Sequence, residues 1–311
     1  MSNQPQKPVR FRIRHVTHYS FDQPVFLEPH VIRLTPRRDG YFLPLRHELT
    51  IEPTPSGTSV GLDASGNTFY SVWFSGLTDT LRIISESEGD ALRHNPFDYL
   101  IENSIQGLPP NYSPKERAAL ADSLSPESDS AVGRFAERII RSLDSDTPLT
   151  LDFLATLTTT LNNEHTSIVR PDGDPFDPRT TLETREVSCR DVAVLFIAVC
   201  RNQGIAARFV SGYQAGDPHQ GDRDLHAWVE AYLPGAGWRA YDPTLGLIVA
   251  DQHVAVAAAA HWAEAAPVVG SFRGSGVRSR LHSIIYLTTD GLPHPPTKES
   301  REPPSGSETT D

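Results

Sequence analysis

The sequence predicts an α+β fold in two parts: an N-terminal antiparallel β-sandwich, and a core in which a buried helix packs on an antiparallel sheet. Short strand-like runs separated by turn residues fill the first part of the chain, a pattern typical of sandwiches. Nine consecutive small or apolar residues from Val192 to Cys200 indicate a helix that is buried on all sides. In residues 224–233, small or aliphatic side chains alternate with polar or aromatic ones, which predicts a strand.

The N-terminal sandwich is predicted to span residues 10–93. Turn residues such as Ser65-Gly66-Asn67 separate its strand-like runs, which cover residues 10–20, 25–35, 45–53, 68–75 and 80–87. Histidines occur in these runs at positions 15, 18, 30 and 47. Their spacing is not that of metal ligands, so we expect them to be ordinary strand residues.

The rest of the chain is predicted to form a linker at residues 94–112, a core at residues 113–290 and a disordered tail at residues 291–311. The linker contains Pro109-Pro110, and the tail is rich in Pro, Ser, Glu and Thr, a composition that does not build a packed core.

The core is predicted to begin with three helices. Ser113, Pro114 and Glu116 have the order of a cap, a first-turn proline and a capping-box glutamate. Apolar residues at helical spacing predict the next two helices at about residues 130–143 and 150–163.

Composition narrows the class of protein. The 311 residues include 28 Lys and Arg against 39 Asp and Glu, which gives a formal net charge of -11. Nucleic-acid binding requires cations that neutralise phosphates, so we expect no nucleic-acid partner. The first residues lack the apolar segment of a signal peptide, and no apolar run reaches the length of a membrane span. We therefore expect a cytoplasmic protein without a membrane partner, and two cysteines without a disulfide framework agree with that.

The buried helix is predicted to begin at Cys189. Ser188 is a good N-cap, and Asp191 three residues later can return a hydrogen bond to it, while Gly204 is a natural stop. The positive end of the helix dipole favours a thiolate at Cys189. Cys200 lies eleven residues further on, roughly 16 Å along the axis, which is beyond disulfide reach. We interpret Cys200 as a buried apolar residue.

A nucleophilic thiol needs a base and a group that orients the base. His226, on the strand at residues 224–233, is the candidate base, and Asp242, at the end of the next strand, is the candidate orienting carboxylate. Because side chains alternate along a strand, the two share a face only if the connecting loop has an odd number of residues. A three- or five-residue loop centred on Pro234 satisfies this condition, whereas a two-residue turn does not.

Each of these residues alone has an ordinary explanation. A lone cysteine at the start of a buried helix is more often structural, a strand histidine is more often a hydrogen-bonded polar residue, and an aspartate before proline often only forms a turn. Their combination in this order is more specific. Trp228 and Tyr213 are candidates to line a substrate cleft, with packing in the core an equal alternative.

Four blocks of the core form one distinctive set: Ser188-Cys189-Arg190-Asp191, residues 204–213, His226-Ala227-Trp228-Val229-Glu230 and residues 237–244. Three segments nearer the ends of the chain add to it, at residues 15–25, 253–256 and 266–274. Together they resemble the transglutaminase-like superfamily, in the bacterial branch often described as cysteine proteases, over about residues 10 to 290. Carried over residue by residue, the family's Cys-His-Asp triad falls on Cys189, His226 and Asp242. Ser188 departs from the glycine that usually precedes the nucleophile.

The resemblance implies a papain-like core and a cysteine-dependent amide hydrolase or acyltransferase that acts on peptide or glutamine-type amides through a thioester. The expected partner is therefore a peptide or protein amide substrate, with no cofactor and no metal. The backbone N–H of Cys189 is the candidate oxyanion donor, and a second donor is not identified. The alternative is a non-catalytic partner-binding protein that retains the scaffold. The sequence leaves the substrate, the final acceptor and the oligomeric state open.

Overall fold

The computed structural model describes residues 7–100, 107–126, 129–170, 173–216 and 224–290. The predicted tail at residues 291–311 and part of the predicted linker lie outside the described residues. Within them, antiparallel strands outnumber helices, which confirms the predicted α+β class. Among the described helices, none is long and apolar enough to cross a membrane.

Six strands from the first part of the chain form the predicted N-terminal sandwich. They are β1 (Val9–Leu27), β2 (His30–Ile32), β3 (Phe42–Glu52), β4 (Gly57–Leu62), β5 (Thr68–Trp73) and β6 (Thr78–Ala91). One sheet contains β1, β6 and β3, and the other contains β2, β5 and β4. Buried apolar side chains from both sheets, among them Leu27, Ile32 and Ile83, form a common core, as two amphipathic sheets require.

The second part of the chain has six helices within the described residues. They are α1 (Pro114–Ala119), α2 (Ala121–Leu124), α3 (Ser130–Ser142), α4 (Thr150–Glu164), α5 (Pro178–Glu183) and α6 (Cys189–Asn202). Helices α1, α3, α4 and α6 begin where the sequence predicts helices, whereas α2 and α5 are not predicted. The predicted capping box at Ser113 and Glu116 is present at the start of α1. Two short strands, β7 (Thr166–Ser167) and β8 (Glu186–Val187), pair in parallel on either side of α5.

Five strands form the core sheet on which α6 packs. They are β9 (Ala207–Gln214), β10 (His226–Leu233), β11 (Gly237–Asp242), β12 (Leu247–Ile248) and β13 (His253–Ala259), and their order in the sheet is β12-β11-β10-β9-β13. Helix α6 and one face of β10 share an apolar core that includes Phe196, Val229 and Tyr241. The buried helix on an antiparallel sheet is therefore present as predicted.

The N-terminal sandwich covers the outer edge of β13. The buried Asn67 side chain donates to the carbonyl of Ala258 at 2.9 Å and accepts from the Ala258 N–H at 2.8 Å. The Arg37 N–H donates to the carbonyl of Ala255 at 2.7 Å. An open sheet edge has unpaired backbone groups, so these contacts satisfy β13 and attach the core sheet to the sandwich.

The last strands return to the sandwich, which corrects the predicted domain boundary. After a 3₁₀ turn at Trp262–Ala265, β14 (Val268–Val269) pairs with β2, and both β15 (Phe272–Arg273) and β16 (Ser279–Thr289) pair with β1. The prediction that residues 113–290 form the core in one piece is therefore wrong. Strand periodicity identifies a strand but not its partner, and β16 pairs with residues more than 250 positions away.

Candidate active site

The start of α6 places Cys189 at the surface of the core. Ser188 caps the helix: its N–H and its hydroxyl each donate to Asp191 Oδ2 at 2.7 Å. Cys189 is the first residue of the helix and is partly exposed. Cys189 thus lies at the end of the helix whose first amides lack internal partners.

Asp191 also ties the preceding loop to the helix. Its buried carboxylate accepts from the Arg170 guanidinium at 2.5 Å and from the Phe176 N–H at 2.7 Å, both through Oδ1. The two carboxylate oxygens are thus divided between the cap and the loop. The Ser188 hydroxyl is committed to Asp191, so its side chain is turned into the cap and not toward the thiol.

The hairpin of β10 and β11 aligns the candidate base and carboxylate. Leu233 pairs with Gly237, which leaves a three-residue connection, and Val229 pairs with Tyr241. The connection therefore has the odd number of residues that a shared face of His226 and Asp242 requires, although it is centred on Gly235 and not on Pro234. His226 Nε2 and Asp242 Oδ2 are 2.7 Å apart. Since Nε2 is engaged by Asp242, Nδ1 is the nitrogen left for Cys189, which lies close enough to His226 to favour its charged form.

The electrostatics of this pair favour a charged histidine. Burial alone would lower the pKa of His226, but the charge of Asp242, its hydrogen bond and the hydrogen bond with Cys189 outweigh burial and raise that pKa to about 10. Burial acts to raise the pKa of Asp242, yet His226 and His253 outweigh it and hold the pKa well below its usual range. The imidazolium and the carboxylate therefore stabilise each other near neutral pH.

Sequence reasoning missed His253 as a member of the site. His253 is the first residue of β13, and its Nε2 is 2.9 Å from Asp242 Oδ2, the same oxygen that binds His226. The N–H groups of Thr244 and Leu245 donate to Asp242 Oδ1 at 3.0 and 3.1 Å. The available signal was a lone histidine that opens an apolar run long enough for a buried strand.

Among the described residues, one group of side chains could hold a metal ion, and it consists of His226, Asp242 and His253. One donor atom of each lies within 4.8 Å of the others. The atoms concerned are already joined by hydrogen bonds of 2.7 and 2.9 Å, and a bound ion would have to replace both bonds. We therefore assign these three side chains to one hydrogen-bonded network.

Trp228 and Tyr213, the candidates to line a substrate cleft, both have buried side chains, which agrees with the alternative of packing in the core. Trp228 is 2% exposed and Tyr213 is 1% exposed. The Trp228 ring stacks on His226 at 6.1 Å between centroids and meets the edge of His253 at 5.1 Å. The Tyr213 hydroxyl lies 3.1 Å from Nδ1 of the buried His15. Both faces of the core sheet are covered, so alternation along β10 does not separate a buried face from an exposed one.

The matches to known families cover most of the sandwich and the site. Residues 11–90 match the bacterial transglutaminase-like N-terminal region, and residues 134–243 match the transglutaminase-like superfamily. The chain therefore belongs to the transglutaminase-like superfamily and has the bacterial N-terminal region in front of its core. The core match includes Cys189, His226 and Asp242, and it ends before His253.

Individual relatives agree with this placement. An uncharacterized protein of Mycobacterium tuberculosis is 28% identical over 302 residues, which is 91% of this chain and 93% of the relative. A protein-glutamine gamma-glutamyltransferase of Pseudomonas aeruginosa is 39% identical over 70 residues, which is 20% of this chain and 10% of that protein. The crystal structure of a "Putative Cysteine Protease" from Cytophaga hutchinsonii has the same fold, with a TM-score of 0.69, 19% identity and 93% of each chain covered. Family and fold together support a cysteine-dependent enzyme.

Proposed function

We propose that this protein is a cysteine-dependent amide hydrolase or acyltransferase with Cys189, His226 and Asp242 as its catalytic residues. The observation that carries the proposal is the 2.7 Å hydrogen bond between His226 and Asp242, with Cys189 close enough to His226 to favour its charged form. A thiol at a helix start, a base and a group that orients the base are the parts that thiol nucleophilic catalysis requires.

Each of the three residues has a step in the proposed reaction. The Cys189 proton passes to His226 Nδ1, which gives a thiolate beside an imidazolium. The thiolate sulfur attacks the amide carbonyl carbon, and a tetrahedral intermediate forms. The imidazolium then gives its proton to the leaving nitrogen, the C–N bond breaks, and an acyl thioester remains on Cys189. Asp242 keeps the His226 ring oriented and stabilises its charge throughout.

The second half of the reaction frees the thiol. Water or an amine gives a proton to the now neutral His226 and attacks the thioester carbon, and the C–S bond breaks. Water yields an acid, whereas an amine yields a new amide. We favour hydrolysis because water needs no second binding site. The Cys189 N–H at the start of α6 is placed to donate to the oxyanion in both halves.

The proposal can be tested without knowledge of the natural substrate. p-Nitrophenyl acetate acylates activated thiols, so the protein should release about one equivalent of nitrophenolate per chain in a rapid phase, as acyl-enzymes do. Peptide mass spectrometry should locate the acetyl group on Cys189, and neutral hydroxylamine should remove it. A Cys200→Ala variant is the matched control and should behave as the wild type.

Two results would count against this function. Acetylation confined to lysines, or acetylation of Cys189 that is equally fast in His226→Ala, would leave a non-catalytic partner-binding protein as the better account. If Cys189 is acylated, glutamine-containing peptides with and without an added primary amine then separate the two activities. Ammonia release without amine incorporation indicates hydrolysis, and amine incorporation indicates acyl transfer.

A further inference from the structure

His253 and His226 bind the same carboxylate oxygen from different strands. His253 Nε2 is 2.9 Å from Asp242 Oδ2, and His226 Nε2 is 2.7 Å from it. An ionised carboxylate only accepts hydrogen bonds, so both Nε2 atoms must carry a proton. Nε2 is therefore protonated in each ring, and the protonation states of the two rings can differ only at Nδ1.

The Nδ1 atoms have different surroundings. Nδ1 of His253 is buried and has no hydrogen-bond partner among the described residues, and the side chain is 1% exposed. A proton there would be a buried donor without an acceptor, which is unfavourable and more so on a charged ring. His226 instead has Cys189 as a neighbour that favours its charged form.

The charged and titratable groups around the two rings agree with this difference. Asp242 on β11 and Cys189 on α6 act on His226, and both favour its charged form. Asp242 and His226 on β10 act on His253, and a charged His226 opposes a second charge beside it. Burial outweighs Asp242 at His253 and lowers its pKa. Only one of the two rings can hold a proton on both nitrogens at low cost.

Trp228 keeps the two rings in place. Its indole is nearly parallel to the His226 ring, with an angle of 28°, and nearly perpendicular to the His253 ring, with an angle of 74°. The indole is buried, and the backbone of β13 is held by Asn67 and Arg37 of the sandwich. His253 therefore approaches Asp242 from a rigid part of the molecule.

We propose that His253 is a positioning residue of the active site: as a neutral Nε2 donor it fixes Asp242 Oδ2 on the His226 ring and confines the positive charge to His226. The proposal rests on the proposed catalytic role of Cys189, His226 and Asp242. His253 does not touch the thiol, so its effect on catalysis passes through Asp242. The core family match ends before this residue, and β13 brings it to the site.

Two substitutions separate the hydrogen bond from packing. His253→Gln can place an amide N–H near the position of Nε2 but loses the ring, whereas His253→Phe keeps the ring against Trp228 but has no donor. We expect the rate of Cys189 acetylation by p-nitrophenyl acetate to fall about 10- to 100-fold in His253→Phe, the scale of a catalytic group displaced by up to 1 Å. His253→Gln should restore most of that rate. Equal rates in all three proteins, or a slow His253→Gln beside a normal His253→Phe, would overturn the proposal.

The protonation state is tested directly in the wild-type protein. Long-range ¹H–¹⁵N spectra of the histidine-labelled chain distinguish the two neutral tautomers from the charged ring, and the His253→Phe spectrum identifies the His253 signals. We expect His253 to stay neutral with its proton on Nε2 over roughly pH 5 to 9, while His226 stays doubly protonated. A charged His253, or a proton on its Nδ1, would contradict the proposal. This result does not depend on activity, so it also distinguishes failure here from failure of the proposed function.

Discussion

Helix α6 has a cysteine near each end, and the two lie in opposite surroundings. Cys189 is partly exposed at the N-terminus of the helix and close enough to His226 to favour its charged form. Cys200 is fully buried in the apolar core, where burial raises the pKa of its thiol. The same side chain on the same helix is thus a candidate nucleophile in one place and an apolar residue in the other.

The surroundings of each cysteine, and not the residue type, therefore decide what its thiol can do. A thiolate needs solvation, hydrogen-bond donors or a cation, and the start of α6 offers such groups whereas the core offers few. The two cysteines therefore serve as each other's controls.

The largest expected effect comes from removal of the proposed nucleophile. We expect Cys189→Ala to lower amide turnover by about 10³-fold or more, since loss of a nucleophile removes most of the chemistry. Cys200→Ala should keep turnover near the wild-type value, because Cys200 is remote from His226 and Asp242. A Cys189→Ala protein with normal turnover would remove the distinction between the two ends.

The second-largest expected effect is a pH dependence of the free energy of unfolding, and it arises from His226, near Cys189. The pKa of His226 is raised from 6.5 to about 10, so its charged form stabilises the fold fully below pH 6.5. That contribution is lost as the pH rises through about 10. Asp242→Asn removes the charge that sustains the raised pKa, and burial then lowers it. Urea unfolding should show a decline in the free energy of unfolding between pH 6.5 and 10 that is larger in the wild type than in Asp242→Asn.

A decline of equal size in both proteins would show that His226 does not carry this charge. Other groups that titrate in the same range affect both proteins alike, so the difference between the two curves is the quantity to compare. The circular dichroism of Asp242→Asn at pH 6.5 verifies that the variant is folded.

A smaller effect distinguishes the two ends by stability alone. Cys200→Ser places a hydroxyl in an apolar core and should reduce the free energy of unfolding by about 1–3 kcal/mol. Cys189→Ser lies at a partly exposed position and should change it by about 0.5 kcal/mol or less. Urea midpoints with unchanged slopes measure both. The reverse order would mean that the core around Cys200 tolerates a polar group.

The smallest effect concerns the cap that places Cys189. Ser188→Ala removes one of the donors to Asp191 and should cost about 1 kcal/mol, whereas Ser188→Gly should cost only a few tenths of a kcal/mol. The Ser188 hydroxyl is turned into the cap. We therefore expect iodoacetamide to alkylate Cys189 in Ser188→Gly as fast as in the wild type. A large change of rate in Ser188→Gly would show that this side chain does affect the thiol.

The parts of the site that local rules govern could be predicted from sequence. The cap and the apolar run located the start of α6 at Cys189, and the parity of the hairpin loop placed His226 and Asp242 on one face. Both rules involve residues close together in the chain, so no knowledge of distant partners was needed.

The parts that depend on distant pairing could not be predicted. Strand β13 is rich in alanine, which has a low strand propensity, and it is a strand because β9 and the sandwich supply its hydrogen bonds. His253 was therefore not recognised as a neighbour of Asp242. The sequence leaves a cleft and core packing as equal alternatives for Trp228, because strand alternation does not show that Tyr41 of the sandwich and β13 cover its face of β10.

The most direct test of the central claim is the rate of alkylation of Cys189 by iodoacetamide as a function of pH, with Cys200 as the internal reference. Peptide mass spectrometry reports the two cysteines separately in one sample. We expect Cys189 to react quickly well below the ordinary thiol pKa of about 8.5, Cys200 to react only on unfolding, and His226→Ala to abolish the reaction of Cys189 at low pH. An ordinary thiol profile at Cys189 that is unchanged in His226→Ala would contradict the account.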